Sequence, residues 1–155
     1  MAPIDFIVRL LLAAGLGAAI GLEREMRRKP AGLRTNMLIA VGSALFSLVS
    51  IQLAKQGGSA DRVAANIVTG VGFLGGGAIL RSGRNVVGMT TAATVWVNAA
   101  IGMAAGIGES MLAVSATGIT LMVLGVLPPI ERYFDQRIAK ASPPAETVPP
   151  SAPER

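Results

Sequence analysis

Long apolar runs constrain this chain more than any other feature of its sequence. The first run covers residues 4–22, and a helix of that length rises about 28 Å, close to the thickness of the hydrocarbon core of a bilayer. Four similar runs follow at 36–54, 63–80, 89–107 and 111–127. Because a peptide group in lipid must find its hydrogen bond within its own segment, each run predicts a helix. The sequence therefore predicts an all-α, polytopic membrane protein with about five transmembrane helices.

The composition agrees with this class and argues against several others. Of the 155 residues, 52% are hydrophobic and only 15% are charged. Cysteine and histidine are both absent, which removes disulfides, thiolate metal sites, cysteine nucleophiles and imidazole bases. The formal net charge is +5, but the basic residues flank the apolar runs, so membrane topology explains them better than nucleic-acid binding does. We therefore expect no enzyme activity, no cofactor, no metal site and no nucleic-acid partner, and the lipid bilayer is the expected surrounding.

The distribution of Lys and Arg predicts the orientation in the membrane. In an alternating five-span arrangement, most basic residues lie in segments 23–35 and 81–88 and after residue 127, all on one side. Lys55 and Arg62 lie on the other side. By the positive-inside rule, the N-terminus is expected outside and the C-terminus in the cytoplasm.

Prolines mark the end of the predicted membrane domain, residues 1–127. Pro128 and Pro129 are expected to stop or kink the last helix, and residues 128–140 are expected to form a short helix at the membrane surface. Residues 141–155 are rich in proline and poor in large apolar side chains, so this tail is predicted to be disordered.

The third run contains a glycine-rich stretch that allows two interpretations. Gly70, Gly72 and Gly75 match G-x-G-x-x-G, but the surrounding strand and helix of a dinucleotide site are absent. Gly72 and Gly76 instead have the G-x-x-x-G spacing that lets helix backbones approach closely. That spacing recurs at Gly17 and Gly21 and at Gly102 and Gly106. Packing is one interpretation, and the other is an unwound segment at Gly75, Gly76 and Gly77 whose carbonyls face an ion path.

Charged residues collect where the first run ends. Glu23 and Glu25 lie beside Arg24, and Arg34 follows the turn. These charges mark the membrane edge, or they form a site in which Glu23 pairs with Arg34 and offers a carboxylate to a cation or a partner.

Polar side chains also occur within the runs. Thr35 or Asn36 is expected to cap the second helix. Thr91, Thr94 and Asn98 form one stripe on the fourth helix, which predicts either hydrogen bonds between helices or a polar path. The third run contributes Asn66 and Thr69.

Five sequence blocks carry a family resemblance. They are GLERE at 21–25, PAGLRTN at 30–36, VTGVGFLGGGAIL at 68–80, and GMTTAATVW at 88–96 followed by AAIGMAAGIG at 99–108. Their order and spacing resemble the MgtC/SapB family of bacterial inner-membrane proteins. The resemblance covers the transmembrane domain, and a Pro-rich tail stands where some members carry a C-terminal ACT-type domain.

The resemblance implies a five-helix inner-membrane domain linked to growth under magnesium limitation and to survival in macrophages, and for some members to restraint of the ATP synthase. The best-studied virulence members carry an Asn, a Cys and an acid where this chain has Thr90, Val97 and Ser82. The family name alone therefore does not imply a virulence role.

Together these observations predict a non-catalytic regulator or interaction partner linked to magnesium limitation or acid stress, with an ATP synthase or a cation transporter as the expected partner. The alternative is a small ion transporter or channel for Mg²⁺ or protons, and a homo-oligomer is expected. The candidate functional residues are Glu23, Arg24, Glu25, Arg34, Thr35, Asn36, Asn66, Gly72, Gly75, Gly76, Gly77, Thr90, Thr91, Thr94 and Asn98.

Overall fold

The computed structural model describes residues 3–82 and 85–141 and confirms the all-α prediction. The helices are α1 (Pro3–Met26), α2 (Leu33–Ala54), α3 (Ala60–Gly77), α4 (Met89–Ile107) and α5 (Ser110–Ala141). Two short antiparallel strands, β1 (Leu80–Ser82) and β2 (Asn85–Val87), join α3 to α4, with Leu80 paired with Val87. The sequence does not predict strands in this segment.

Four of the described helices are long and apolar enough to cross a membrane. They are α1, α2, α4 and the Ser110–Glu131 part of α5. We expected the third helix to span as well, but α3 does not meet the same criterion, because its 18 residues include Asp61, Arg62 and Asn66 among several glycines. The chain is thus a multi-pass helical membrane protein with four candidate spans among its described residues.

Helices α1, α2 and α4 meet at backbone-contact distance through small residues. A Cβ on Gly102 would lie 2.8 Å from Cα of Ala40, and one on Gly106 would lie 2.6 Å from the carbonyl oxygen of Ala44. The later residue of α4 meets the later residue of α2, so these two helices run parallel. The predicted packing role of Gly102 and Gly106 is confirmed.

The first helix packs against α2 in the opposite direction. A Cβ on Gly17 would lie 2.7 Å from the carbonyl oxygen of Asn36, and one on Gly21 would lie 2.7 Å from Cα of Leu33. The later glycine of α1 thus meets the earlier residue of α2, so these two helices are antiparallel. The packing role predicted for Gly17 and Gly21 is also confirmed.

Two apolar clusters complete the interior. The larger one joins α1, α2 and α4 to α5, through residues such as Ile20, Ile101, Ala105 and Ala113. The smaller one joins α3 to α4 through Ile67, Val71, Val95 and Ala99. Helix α3 therefore has one buried face, which lies against α4.

The helical structure of α5 continues through Pro128 and Pro129 to Ala141. We expected these prolines to stop or kink the last helix, and the stop is wrong, because the residues on both sides of them are helical. The described residues fall into two compact units, divided after Gly125. The tail that we predicted to be disordered lies outside the described residues, apart from Ala141.

Candidate functional site

A buried arginine occupies the last turn of α1. Only 4% of Arg24 is exposed, and its Nη2 donates to Oγ1 of Thr91 on α4, at 3.1 Å. Its Nε has no hydrogen-bond partner among the described residues. Because a charged side chain inside a membrane protein requires polar neighbours, Arg24 identifies this end of the helix bundle as the candidate site.

The neighbouring acid pairs within its own helix. Oε1 of Glu23 lies 2.6 Å from Nε of Arg27. The predicted pair of Glu23 with Arg34 is wrong, because α1 continues to Met26 and brings residues 23 and 27 onto one helix face. Arg34 is exposed in the first turn of α2. Within the described chain, the buried carboxylate oxygens of Glu23 make no hydrogen bond of regular geometry, so the contact with Arg27 is an ion pair.

The second acid of the motif caps another helix. Oε2 of Glu25 accepts the backbone N–H of Leu33, at 3.1 Å, at the beginning of α2. The N-cap residue, Gly32, lies directly against this carboxylate and has no side chain that could accept the N–H itself. A negative charge near a helix N-terminus is favourable. The predicted capping role of Thr35 or Asn36 is wrong, because α2 begins at Leu33, two residues before Thr35.

Two fully buried asparagines connect α2 to α4. Nδ2 of Asn98 donates to the backbone oxygen of Asn36 at 2.6 Å and to its Oδ1 at 3.2 Å. Nδ2 of Asn36 in turn donates to the carbonyls of Ala31 and Gly32. Ala31 has a φ of 55°, a left-handed conformation that is unfavourable for alanine. Asn36 therefore holds the strained turn between α1 and α2 and joins it to α4.

The polar stripe predicted on α4 lies in the interior. Thr91, Thr94 and Asn98 are all buried, and Oγ1 of Thr94 donates to the carbonyl of Thr90 in its own helix, at 2.7 Å. Thr90 itself is exposed, as is Thr35 on α2. The interpretation of the stripe as a source of hydrogen bonds between helices is confirmed for Thr91 and Asn98.

The glycines of α3 do not belong to this site. Of the glycine candidates, only Gly75 is buried, where a Cβ would lie 3.4 Å from the carbonyl oxygen of Ala92. Gly72, Gly76 and Gly77 are exposed, and a Cβ at any of them would meet no atom within 4 Å. The expected packing of Gly72 and Gly76 is therefore not formed within the described chain. The alternative of an unwound segment is wrong for the described backbone, because α3 remains helical through Gly77.

Two further arginines bind backbone carbonyls and were missed by sequence reasoning. Nη1 of Arg9 donates to the carbonyl of Gly106 at 2.8 Å, near the C-terminus of α4. Nη2 of Arg27 donates to the carbonyl of Gly125 at 3.2 Å. A signal for the second contact is present in the sequence, since Pro129 has no N–H to donate to the carbonyl four residues earlier.

The chemistry available here is hydrogen bonding and ion pairing. Oδ1 of Asn98, Nε of Arg24 and both oxygens of Glu23 are buried and retain the capacity for further hydrogen bonds. Among the described residues, no group of three or more Asp or Glu side chains is arranged to hold a metal ion. The fold and the site define a multi-pass helical membrane protein whose buried polar side chains connect α1, α2 and α4.

The family follows from comparison with known proteins. The family model described as the MgtC family matches residues 10–133, and the chain belongs to that family. It is 51% identical over 129 residues to YhiD of Escherichia coli, which carries the name of a magnesium transporter, covering 79% of this chain and 60% of that protein. It is 49% identical over 121 residues to MgtC of Salmonella typhimurium, covering 78% of this chain and 52% of that protein. The chain thus spans only part of the length of these relatives, and no solved structure matches it.

Proposed function

We propose that the protein is a non-catalytic regulator in the bacterial inner membrane that acts by binding another membrane protein under magnesium limitation or acid stress. An ATP synthase subunit or a cation transporter is the proposed partner. Membership of the MgtC family supports a membrane role of this kind. In the proposed orientation the C-terminus is cytoplasmic, so Arg24, Asn36 and Thr91 lie near the cytoplasmic side.

The observation that carries this proposal is the closed contact between α2 and α4. Gly102 and Gly106 lie against Ala40 and Ala44 at backbone distance. At the same end as Arg24, the amide of Asn98 binds α2 directly. Small residues and hydrogen bonds at a helix interface favour a fixed arrangement of the helices. A rigid bundle with closed contacts suits a binding partner better than a carrier that must open.

A flux assay tests the proposal. Full-length protein in liposomes is expected to pass Mg²⁺ and protons no faster than empty vesicles, as followed by dyes enclosed in the vesicles. From magnesium-limited cells, the same protein is expected to co-purify with a subunit of an ATP synthase or a cation transporter. Flux above the empty-vesicle level, with no partner recovered, would overturn the proposal.

A matched pair of variants sharpens the co-purification test. Arg24→Gln removes the buried guanidinium that contacts Thr91, whereas Arg28→Gln makes the same chemical change at an exposed position. If the partner recognises the arrangement of α1 and α4, only the first variant loses the partner. Equal retention by both variants would place partner binding elsewhere on the molecule.

A transporter remains a second candidate, because buried hydroxyls continue along α2 beyond Asn36. Ser43, Ser47 and Ser50 are buried, and Oγ of Ser47 donates to the carbonyl of Ser43 at 2.8 Å. The name of the relative YhiD also favours this function. If the protein transports ions, Ser47→Ala should lower the flux, whereas Ser115→Ala, at an exposed serine of α5, should leave it unchanged.

A further inference from the structure

The first turn of α4 begins without a cap. The N-cap residue, Gly88, has no side chain, and no side-chain hydrogen bond caps the helix. The N–H of Ala92 donates to the carbonyl of Gly88 at 2.9 Å, which is the first backbone bond of α4. The amides of residues 89–91 have no such partner among the described residues. The start of α4 therefore presents free donors and the positive end of the helix dipole.

The backbone around Gly88 excludes a capping side chain at that position. Its φ is 94°, a left-handed conformation that favours glycine. A Cβ there would also collide with the carbonyl oxygen of Ala78, at the end of α3. The first turn of α4 contains no acid either. The free amides at the start of α4 are thus a fixed feature of this fold.

Arg24 brings a second, independent donor group to the same turn. Its Nη2 donates to Oγ1 of Thr91, the third residue of α4, at 3.1 Å. This is the one hydrogen bond that the guanidinium makes to the described residues, and its buried Nε has no partner there. A guanidinium carries five N–H donors. Most of the donor capacity of this buried side chain is therefore unused within the described chain.

The charge of Arg24 is not balanced by a neighbouring acid. A cation is favourable in the last turn of α1 but unfavourable at the start of α4, and the guanidinium of Arg24 connects the two. The two acids that the described chain places at this end are engaged elsewhere, since Glu23 pairs with Arg27 and Glu25 accepts the N–H of Leu33. Because a buried charge without a partner is strongly unfavourable, the arrangement favours an anion beside Arg24.

We propose that Arg24 and the first turn of α4 form a binding site for a phosphate group. Helix N-termini bind phosphate through their free amides, and arginine binds it through two parallel hydrogen bonds. A tetrahedral phosphate directs its oxygens to several sides, so it can accept from the guanidinium and from the amides of residues 89–91 together. Met89 and Thr90 are exposed, which leaves the turn open to an approaching ligand. The inference holds whether the protein regulates or transports.

Two sources can supply this phosphate group. The end of α1 and the start of α4 lie at the same end of the bundle, which is near the cytoplasmic surface in the proposed orientation. The phosphate of a lipid headgroup lies at that depth, and inorganic phosphate reaches it from the cytoplasm. Arg28 and Lys29, exposed in the turn after α1, add positive potential that attracts either ligand.

Ligand-dependent unfolding of the purified full-length protein tests the proposal. The protein is freed of lipid in detergent and receives inorganic phosphate, compared with sodium chloride of equal ionic strength, or phosphatidylglycerol, compared with diacylglycerol, which contains no phosphate. At least one phosphate compound should raise the unfolding temperature by about 3 °C or more. A response to inorganic phosphate alone supports a soluble ligand, and a response to phosphatidylglycerol alone supports a lipid. No response to either compound would overturn the proposal.

A matched pair of variants tests the role of Arg24 in binding. Arg24→Gln should weaken the binding of the responding compound by about tenfold or more, because a charged donor to the phosphate is lost. Arg28→Gln removes an exposed positive charge at the same end and should bind nearly as well as the natural chain. Equal weakening in both variants would indicate a general effect of charge and would overturn the proposal.

A third variant keeps the proposal testable if Arg24→Gln does not fold. Thr91→Asp gives the guanidinium a carboxylate partner within the chain. Without ligand it should unfold at a higher temperature than Thr91→Asn, which has nearly the same size and no charge, and it should no longer respond to the phosphate compound. Thr91→Asn should keep part of the response. A response of Thr91→Asp equal to that of the natural chain would overturn the proposal.

Discussion

The guanidinium of Arg27 donates a hydrogen bond to the carbonyl of Gly125, the residue four positions before Pro129. In an uninterrupted helix this carbonyl would accept the N–H of residue 129, which proline lacks. Arg27 therefore supplies a donor at the position where the sequence of α5 removes one. The two adjacent prolines remove the helix donors to the carbonyls of Leu124 and Gly125, and Arg27 supplies a donor to the second of these.

A double-mutant cycle tests whether the Arg27 guanidinium replaces the backbone N–H that Pro129 lacks. Arg27→Ala should destabilise the natural chain by about 1–2 kcal/mol, because it removes both the ion pair with Glu23 and the donor to the Gly125 carbonyl. The same change should cost less in a Pro129→Ala background, where the backbone N–H is restored. Unfolding of the purified protein in mixed detergent micelles measures both values. Equal costs in the two backgrounds would show that Arg27 acts independently of the proline.

The contact between α2 and α4 should tolerate no additional methyl group. Gly102→Ala places a Cβ 2.8 Å from Cα of Ala40, which is closer than packed atoms allow, so we expect a loss of about 1–3 kcal/mol. Gly118→Ala makes the same change where a Cβ meets no atom within 4 Å and should be neutral or slightly stabilising. Thermal unfolding in detergent compares the two variants. Similar stability in both would contradict the observed closeness of the helices.

The asparagine pair should contribute more to stability than the neighbouring threonine. Asn98→Ala removes the donor to both oxygens of Asn36 and is expected to cost about 1–2 kcal/mol. Thr94→Val removes only a bond to the carbonyl of its own helix and should cost less than about 0.5 kcal/mol. Detergent unfolding of the single variants measures this difference. A larger loss of stability for Thr94→Val than for Asn98→Ala would show that Thr94, and not Asn98, makes the main polar contact.

The cap on α2 should depend on an acceptor oxygen at position 25. Glu25→Ala removes the acceptor for the Leu33 N–H and should destabilise the start of α2 by about 1 kcal/mol. Glu25→Gln keeps an oxygen and should retain part of that stability. Hydrogen exchange of the Leu33 amide is the direct measurement, with Glu109→Ala, at an exposed acid, as the control. If exchange at Leu33 is unaffected by Glu25→Ala, the cap has no energetic role.

The sequence correctly predicted the features that depend on one helix alone. The apolar runs predicted the helices, and the spacing of Thr91, Thr94 and Asn98 placed them correctly on one buried face of α4. It failed where the result depends on chain direction and neighbours. The cap at Leu33 comes from Glu25, eight residues earlier, and the start of α2 is not marked by a capping side chain at Gly32.

The glycine pairs show the same limit. The G-x-x-x-G spacing is identical in α1, α3 and α4, yet Gly17 and Gly102 are packed while Gly72 is exposed. Spacing identifies a surface that permits close approach, but it does not specify which helix occupies that surface. That choice depends on the number of helices available around α4 and on the surfaces that they leave uncovered.

The parallel contacts of Ala40 with Gly102 and of Ala44 with Gly106 have a consequence for motion. A shift of α4 by one residue along α2 would bring larger side chains, such as Met103 and Ile107, towards the positions now held by glycine. Those positions have no room even for a methyl group. Sliding of α4 along α2 is therefore blocked, and a conformational response to a signal is expected in the segments that surround these two helices.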